Sequence, residues 1–514
     1  MYVIKSKRVY QGLYFTVTRT QILRLLGHAG LRQIFANQSP FSDDDDNPWT
    51  RRRRNRGART PFEKVPSEAG RQLMTSGVFG LHERADTTIK GIKIKESTIK
   101  RRKKSAYRLM QRELGLGSYG RQKSQNSLIA QSLIPSTPVD TIIHYDDRCY
   151  SGQFSDDGNF FFSCAQDFKV RMYDTSNPYD WKYYKTVDYH GGQWTITDAS
   201  LSPDNRFLAY SSIRQIVCLA STDPTDDSEP YMLDFSNLGR GQGTPRPRRG
   251  WGYGHFGIWS IRFSGDGREI VAGTGDQSVY VYDIERRQSI LRIEGHEDDV
   301  NAVCYGDRNS PHILYSGSDD TTLKVWDRRS MGDGRPAGVF IGHTEGLTYV
   351  DSKGDGRYVL SNGKDQTMKL WDLRKVMPTE QAERIDASRY TTGFDYRQER
   401  FDFDEWHPHP EDCSVVTFRG HSVLRTLIRC HFSPPGSTDS RYVYSGSADG
   451  SVHVWNLDAT PAGKINVLEA TKETRPRDPS LTGRTFDYMG RGGPWLTCVR
   501  DCSWHPTAPV IAGE

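Results

Sequence analysis

Short apolar segments alternate with polar turns over most of this chain, and in two places the pattern is almost copied. Residues 314–329 read LYSGSDDTTLKVWDRR, and residues 359–374, about 45 positions further on, read VLSNGKDQTMKLWDLR. In each copy, two apolar runs of strand length flank a turn rich in polar side chains. The pattern predicts pairs of antiparallel β-strands that recur with a fixed period.

A period of this length is typical of a WD40 β-propeller, whose units carry Gly-His before the first strand, an Asp in the second turn and a closing Trp-Asp. Three consecutive units hold these residues in register: His296, Asp320, Trp326 and Asp327; His343, Asp365, Trp371 and Asp372; and His421, Asp449 and Trp455. We expect the His, the Asp, a strand Ser and the Trp of each unit to form a buried hydrogen-bonded set. We interpret these residues as structural.

Looser units precede these three and one follows them. The earlier units lie at 150–174, 194–219 and 258–283, which makes six blades. A seventh begins at Trp495 and stops within its second strand, and Thr141 to Tyr145 could supply its outer strand. The expected fold is therefore an all-β, seven-bladed propeller over residues 138–514, whose last blade is incomplete and poorly closed because the C-terminus is truncated or misread.

Residues 1–137 differ in kind from the propeller. Basic runs at 51–54 and 100–104 and an acidic block at 43–46 leave few apolar residues for a core, so we expect this segment to be largely disordered. One short helical pair is predicted at 20–36 from the spacing of its apolar residues. The basic runs are compatible with nuclear import, whereas the absence of Asp and Glu from residues 1–42 leaves a mitochondrial transit peptide as the competing interpretation.

Two insertions interrupt the repeat, at 222–254 and 375–412. Long loops of this sort are usually functional or disordered. The first contains RGQGTPRPRRG with Trp251 and Tyr253 nearby, a composition that could contact RNA, although we interpret it as a connector. The second contains DYRQERFDFDEWHPHP.

Composition limits the function classes. A net charge of +5 is slight for 514 residues, so we do not expect a nucleic-acid partner on the ground of global charge. The apolar runs are far shorter than the roughly 18 residues of a membrane span. The eight cysteines form no Cys-x-x-Cys pair, which favours reduced thiols over a zinc site. Without a nucleophile motif, phosphate loop or metal-ligand cluster, the chain is expected to be a non-catalytic binding platform with no cofactor or metal.

Both near copies end in Trp-Asp-x-Arg, through Arg329 and Arg374, and the propeller fold does not require this Arg. An Arg just past a third strand projects at the blade rim, where its planar fork can pair with carboxylate or carbonyl groups. The two ends resemble the DWD box of substrate receptors of cullin-4 RING ubiquitin ligases. The alternative interpretation is that each Arg caps its strand or pairs with a nearby Asp.

Longer runs carry a more specific resemblance. EGHEDDVNAVCY from Glu294, DSKGDGRYVLSNGKDQTMKLWDLRK from Asp351 and TFRGHSVLRTLIRCHFSP from Thr417 resemble the WD-repeat protein 23 family, a DWD-box receptor family. The resemblance covers about residues 132–506 and implies a non-catalytic subunit that docks on a triple-propeller adaptor and selects target proteins for ubiquitylation in the nucleus and cytoplasm. The residues implied in adaptor binding are Trp326, Asp327, Arg329, Trp371, Asp372 and Arg374, with Ile22, Leu25, Leu26, Leu31, Ile34 and Phe35 as the apolar anchors of the helical pair.

Target proteins are expected on the opposite face of the propeller and at its central channel. The second interpretation is a non-catalytic scaffold of another nuclear complex that contacts RNA through the basic segment.

Overall fold

The computed structural model describes residues 62–80, 119–238, 256–331, 334–403, 406–472 and 497–514, with short pieces between 106 and 114. Within these residues the chain forms six four-stranded antiparallel sheets and one two-stranded sheet. Each four-stranded sheet is a simple meander, in which consecutive strands pair. The architecture is the all-β WD40 propeller that the repeat predicts.

The first three blades follow one another along the chain. Blade one contains β1 (Cys149–Phe154), β2 (Phe160–Ala165), β3 (Lys169–Asp174) and β4 (Lys182–Asp188). Blade two contains β5 (Ile196–Leu201), β6 (Phe207–Ser212), β7 (Ile216–Ser221) and β8 (Tyr231–Asp234). Blade three contains β9 (Ile258–Phe263), β10 (Glu269–Thr274), β11 (Ser278–Asp283) and β12 (Gln288–Glu294).

The next three blades contain the best-matched repeats. Blade four contains β13 (Val300–Asp307), β14 (Ser310–Ser318), β15 (Leu323–Asp327) and β16 (Gly338–Phe340). Blade five contains β17 (Leu347–Ser352), β18 (Tyr358–Gly363), β19 (Thr367–Asp372) and β20 (Val416–Phe418). Blade six contains β21 (Cys430–Phe432), β22 (Tyr442–Ser445), β23 (Ser451–Asn456) and β24 (Pro461–Asn466).

Burial explains the strand sequences. The middle strands of a blade are covered on both faces by the neighbouring blades, so they are apolar at successive positions, as in FFFSCA of β2, which is buried throughout. The outer strands have one free edge and more polar side chains, as in KYYKTVD of β4, which is mostly half-buried or exposed. The core therefore consists of layers between adjacent blades.

The ring is completed by a two-stranded sheet of β25 (Cys502–Trp504) and β26 (Ile511–Gly513). This sheet packs against blade six, where the Trp504 and Tyr442 rings stack with centroids 6.3 Å apart. It contacts blade one through a hydrogen bond from the Phe154 backbone N–H to Ser503 Oγ of 3.1 Å. The described residues thus hold six complete blades, where the sequence predicted seven with the last incomplete.

Thr141 to Tyr145 do not form the outer strand predicted for the seventh blade. Residues 141–145 have no regular secondary structure. Ile143 and Tyr145 instead pack in a cluster with Phe161 of blade one and Ala512. An outer strand requires a third strand to pair with, and the two-stranded sheet offers none, so this segment is held by side-chain packing.

Residues 63–80 fold against the propeller, although the sequence assigned them to the largely disordered segment. Helix α1 (Glu68–Thr75) is capped at its N-terminus by Ser67, whose side chain accepts a hydrogen bond from the Gly70 N–H. Gly70 lies so close to blade six that a Cβ atom there would be 2.1 Å from the Leu457 carbonyl oxygen. Phe79 follows the helix and is fully buried.

The remaining helices are short or lie beside single blades. Helix α2 (Tyr119–Ser132) ends beside blade six, where the Tyr442 hydroxyl donates to the Gln131 carbonyl oxygen at 2.9 Å. Within the described ranges after residue 132, the helices are α3 (Thr379–Ala382), α4 (Pro435–Thr438) and α5 (Val467–Ala470), with 3-10 turns at Leu373–Lys375 and Ala387–Tyr390. The insertion at 375–412 is therefore partly structured rather than an open loop.

Candidate functional site

Arg329 and Arg374 lie on the same face of the propeller. Each follows the third strand of its blade, in the connection to the fourth strand. Because consecutive connections of an antiparallel meander alternate between the two ends of the sheet, all first-to-second and third-to-fourth connections share one face. We call this face, defined by Arg329 and Arg374, the arginine face.

The Arg329 side chain is paired with the Asp of its own motif. Its Nε donates to Asp327 Oδ1 at 2.9 Å and its terminal nitrogen donates to Oδ2 at 2.8 Å. These hydrogen bonds lower the pKa of the Asp327 carboxyl to about 2. The Arg329 side chain nevertheless remains 62% exposed, so a partner can reach it only in competition with this pair.

Arg374 has a different environment. Its backbone N–H donates to Asp372 Oδ1 at 3.1 Å, but the two carboxylate oxygens are occupied by Arg357, at 3.0 Å from Nε and 2.7 Å from a terminal nitrogen. The Arg374 side chain is exposed and makes no hydrogen bond or ion pair with the described residues. Its guanidinium is therefore available to a partner.

The two tryptophans predicted to bind the adaptor are buried. Trp326 and Trp371 are both 0% exposed, so neither ring can contact a partner. Their Asp neighbours are engaged by Arg329 and Arg357. Of the six motif residues, Arg329 and Arg374 are the ones that present a charged group to solvent.

Two other predicted elements lie outside the described residues. These are the apolar anchors Ile22, Leu25, Leu26, Leu31, Ile34 and Phe35, and the Arg-Gly stretch with Trp251 and Tyr253.

The buried hydrogen-bonded set is present in blades four and five. In blade five, His343 Nε2 lies 2.7 Å from Ser361 Oγ, its Nδ1 lies 3.1 Å from Asp365 Oδ2, and Trp371 Nε1 donates to the same serine at 2.7 Å. Blade four repeats this arrangement with His296, Ser316, Asp320 and Trp326 at 2.7–2.8 Å. These sets fix the blades that position the two arginines.

Blade six departs from the predicted arrangement. His421 Nε2 lies 2.8 Å from Asn362 Oδ1 of blade five, in place of the hydrogen bond to Asp449 that the repeat predicts. Asp449 pairs instead with His453 at 3.1 Å and Lys464 at 3.2 Å, and Trp455 Nε1 donates to the Arg419 carbonyl oxygen at 3.2 Å. The reason is that His453, four residues after Asp449, and Lys464 both lie within hydrogen-bond distance of this carboxylate in blade six.

A charged cluster at the propeller axis was not anticipated from the sequence. Arg429, at the entry to blade six, contacts Asp198 of blade two at 2.9 Å and Asp501 beside the two-stranded sheet at 3.2 Å. Arg262 of blade three contacts the second oxygen of Asp198 at 2.6 Å. Blades two and six are not neighbours, so Arg429 bridges the central channel, which was an expected route for target proteins.

Electrostatics keeps this cluster ionised. Burial acts to raise the pKa of Asp198, but Arg262 and Arg429 outweigh it and hold that pKa below its usual value. A sequence signal existed, since Asp198 and Arg262 are charged residues within inner strands and Asp501 directly precedes one. Their mutual pairing could not be read from that signal.

The described residues contain no group of three or more His, Cys, Asp or Glu side chains placed to hold a metal ion. All eight cysteines are free thiols. No helix in the described ranges is long and apolar enough to cross a membrane.

The chain is similar to known WD40 proteins over most of its length. The family model "WD domain, G-beta repeat" matches residues 136–174, 250–283, 287–327, 334–372 and 412–456. The LEC14B protein of Lithospermum erythrorhizon is 41% identical over 419 residues, which cover 78% of both chains. The DDB1- and CUL4-associated factor 11 homolog of Caenorhabditis elegans is 35% identical over 385 residues, which cover 71% of this chain and 59% of that protein. The chain therefore belongs to the WD-repeat protein 23 family of WD40 propellers.

Proposed function

We propose that this protein is the substrate-recognition subunit of a cullin-4 RING ubiquitin ligase and has no catalytic activity of its own. One observation carries the proposal: consecutive blades present exposed motif arginines on a single face. It is supported by the similarity to a protein named DDB1- and CUL4-associated factor 11 homolog. The partner is accordingly the propeller adaptor of the ligase.

The chemistry of the arginine face supports docking on an adaptor. A guanidinium offers up to five N–H donors in a planar fork, which suits carboxylate groups better than the ammonium of Lys. Blades four and five are adjacent, since their inner strands β13 and β17 contact one another. One adaptor surface can therefore engage both arginines.

Target proteins would then bind the face opposite the arginine face. There the insertion at 375–412 reaches the connection between blades four and five, where Glu345 accepts a 2.7 Å hydrogen bond from the Thr392 N–H. This connection leads from β16 to β17 and so lies at the other end of the sheets. We also propose that the protein acts in the nucleus and cytoplasm, and that β25 and β26 are the inner half of a seventh blade.

The decisive experiment is affinity purification of the full chain from cells, comparing wild type with the double variant Arg329→Ala, Arg374→Ala. We expect cullin-4 and its adaptor to copurify with the wild type and to be lost from the variant. The matched control is Arg286→Ala, Arg287→Ala, which removes two guanidinium groups from the arginine face at blade three, where no Trp-Asp-x-Arg occurs. Absence of the adaptor from the wild-type purification would refute the proposal.

A second experiment concerns residues 20–36. If the helical pair inserts into the adaptor as an apolar anchor, its deletion should reduce adaptor capture more than either single Arg change. If the chain captured the adaptor equally well with and without residues 20–36, the segment would have no part in docking and the arginines alone would carry it.

A further inference from the structure

We infer that Arg374, rather than Arg329, is the guanidinium that takes a carboxylate of the partner, and that Arg357 is the positioning residue that keeps it available. The inference rests on the proposed docking function and assigns its specificity to one blade. It follows from how the two motif aspartates are occupied.

In each blade the motif Asp can pair with one of two neighbours. In blade four, both carboxylate oxygens of Asp327 accept hydrogen bonds from Arg329 of the same motif. In blade five, both carboxylate oxygens of Asp372 accept hydrogen bonds from Arg357. A partner carboxylate must therefore displace an existing bidentate pair at Arg329, but not at Arg374.

The strand register shows why the two blades differ. Tyr358 is the partner of Asp372 across β18 and β19, and Ile313 is the partner of Asp327 across β14 and β15. The residue just before each partner is Arg357 in blade five and His312 in blade four. Arg357 reaches its Asp with a bidentate fork, whereas the exposed His312 makes no hydrogen bond to Asp327 among the described residues.

Arg357 is itself held in place by aromatic contacts. Its guanidinium lies 4.5 Å from the centroid of the Tyr358 ring, a cation–π distance. The Tyr358 ring in turn packs against the ring of the buried Phe79, with ring centroids 4.9 Å apart. Phe79 also stacks on Phe432 of blade six at 6.4 Å.

The N-terminal segment is thereby connected to the motif arginine. It is fixed to blade six by the Ser67 N–H, which donates to the Asp458 carbonyl oxygen at 2.8 Å. Contacts then run from Phe79 through Tyr358 to Arg357, and from Arg357 through Asp372 to Arg374. When Arg357 is lost, Asp372 becomes free to capture Arg374 in the way that Asp327 captures Arg329.

The test is a binding series with the purified adaptor and the full chain. We expect Arg374→Ala to weaken binding about tenfold or more and Arg329→Ala by no more than about threefold. Arg357→Ala should weaken binding about tenfold in the wild-type background and cause no further loss when Arg374 is already Ala, because the two residues act through one contact. Adding Asp372→Asn to Arg357→Ala should restore most of the affinity, which a purely structural role for Arg357 does not predict.

The inference would be overturned if Arg329→Ala weakened binding more than Arg374→Ala does. It would also be overturned if the losses from Arg357→Ala and Arg374→Ala were additive.

A readout independent of the adaptor separates this inference from the proposed docking function. Phenylglyoxal modifies free guanidinium groups, and mass spectrometry gives its rate at each Arg. We expect Arg374 to react faster than Arg329 in the wild type and to slow several-fold in Arg357→Ala. If phenylglyoxal modified Arg329 and Arg374 at equal rates, the inference would be refuted even if the adaptor binds. If the modification rates were as expected but the adaptor did not bind, the docking function alone would be refuted.

Discussion

Arg429 reaches across the propeller axis to Asp198, and its guanidinium lies 2.9 Å from a carboxylate that stands 231 positions earlier in the chain. Both side chains are almost completely buried. Asp501 shares the same guanidinium, and Arg262 shares the same aspartate. Non-adjacent blades are thus joined by buried ion pairs across the central channel.

Arg429→Met should destabilise the propeller strongly. The substitution keeps the apolar stem but leaves Asp501 without its arginine and Asp198 with Arg262 alone. Removing one partner of a buried ion pair typically costs about 3–5 kcal/mol. Urea denaturation measures this loss, and Arg425→Met, at an exposed position of the same connection, is the control. A loss below about 1 kcal/mol would mean that the remaining partners, Arg262 at Asp198 and His431 at Asp501, suffice to hold the two carboxylates.

His421 should make the free energy of unfolding depend on pH. Burial, aided by the nearby His453, lowers the pKa of His421 to about 3, so the ring is neutral in the folded chain. In the unfolded chain it titrates near 6.5. The contribution of His421 to the free energy of unfolding is therefore fully present above about pH 6.5. As the pH falls towards 3, the unfolded chain takes up a proton that the folded chain does not, and this contribution is lost. About 2 kcal/mol is lost at pH 5.

His421→Gln tests this contribution because the amide can still donate to Asn362 and does not titrate. The free energy of unfolding, measured in urea at pH 7.5, 6 and 5, should fall less steeply in the variant than in the wild type. Parallel pH profiles for the two proteins would show that His421 does not remain neutral.

Local repeats predicted the fold because the residues that define a unit lie within one blade. His343, Ser361 and Trp371 meet as the spacing requires, and so do their counterparts in blade four. Blade six carries the same residue types, yet His421 turns to Asn362, 59 positions away. The choice between such partners depends on side chains of a neighbouring blade, which a repeat pattern does not contain.

The candidate site shows the same limit. The exposed arginines followed from their position after a third strand, but the difference between Arg329 and Arg374 depends on Arg357 and on a buried phenylalanine from another segment. Phe79 lies in a short sequence, LMTSGVFGL, that follows no propeller repeat, and nothing in that sequence indicates that Phe79 packs between blades five and six.

Phe79→Ala should release residues 63–80 from the propeller. An eight-residue helix is not stable in isolation, so α1 depends on the contacts of Phe79, Leu73 and Met74 with the core. Trypsin should then cleave after Arg71 at least about tenfold faster, while the thermal unfolding of the propeller itself changes little. Val78→Ala is the control because that neighbour is 38% exposed. Unchanged cleavage would show that Ser67 and Gly70 suffice to hold the segment.

Glu345→Ala should loosen the insertion on the face opposite the arginine face. Glu345 is 5% exposed and accepts hydrogen bonds from Thr391 Oγ1 at 2.8 Å, from the Thr392 N–H at 2.7 Å and from Thr392 Oγ1 at 2.7 Å. A net hydrogen bond contributes roughly 0.5–1.5 kcal/mol, so losing three should raise local opening at least about tenfold. Hydrogen exchange at residues 391–400 measures this, with Glu380→Ala, an exposed residue of the same insertion, as the control.

The same variant separates the two proposed surfaces. If target proteins bind beside this insertion and the adaptor binds the arginine face, Glu345→Ala should reduce target capture and leave adaptor capture unchanged. Loss of the adaptor with a folded propeller would mean that the two surfaces are not on opposite faces. Faster exchange without any change in target capture would place the target site away from the insertion.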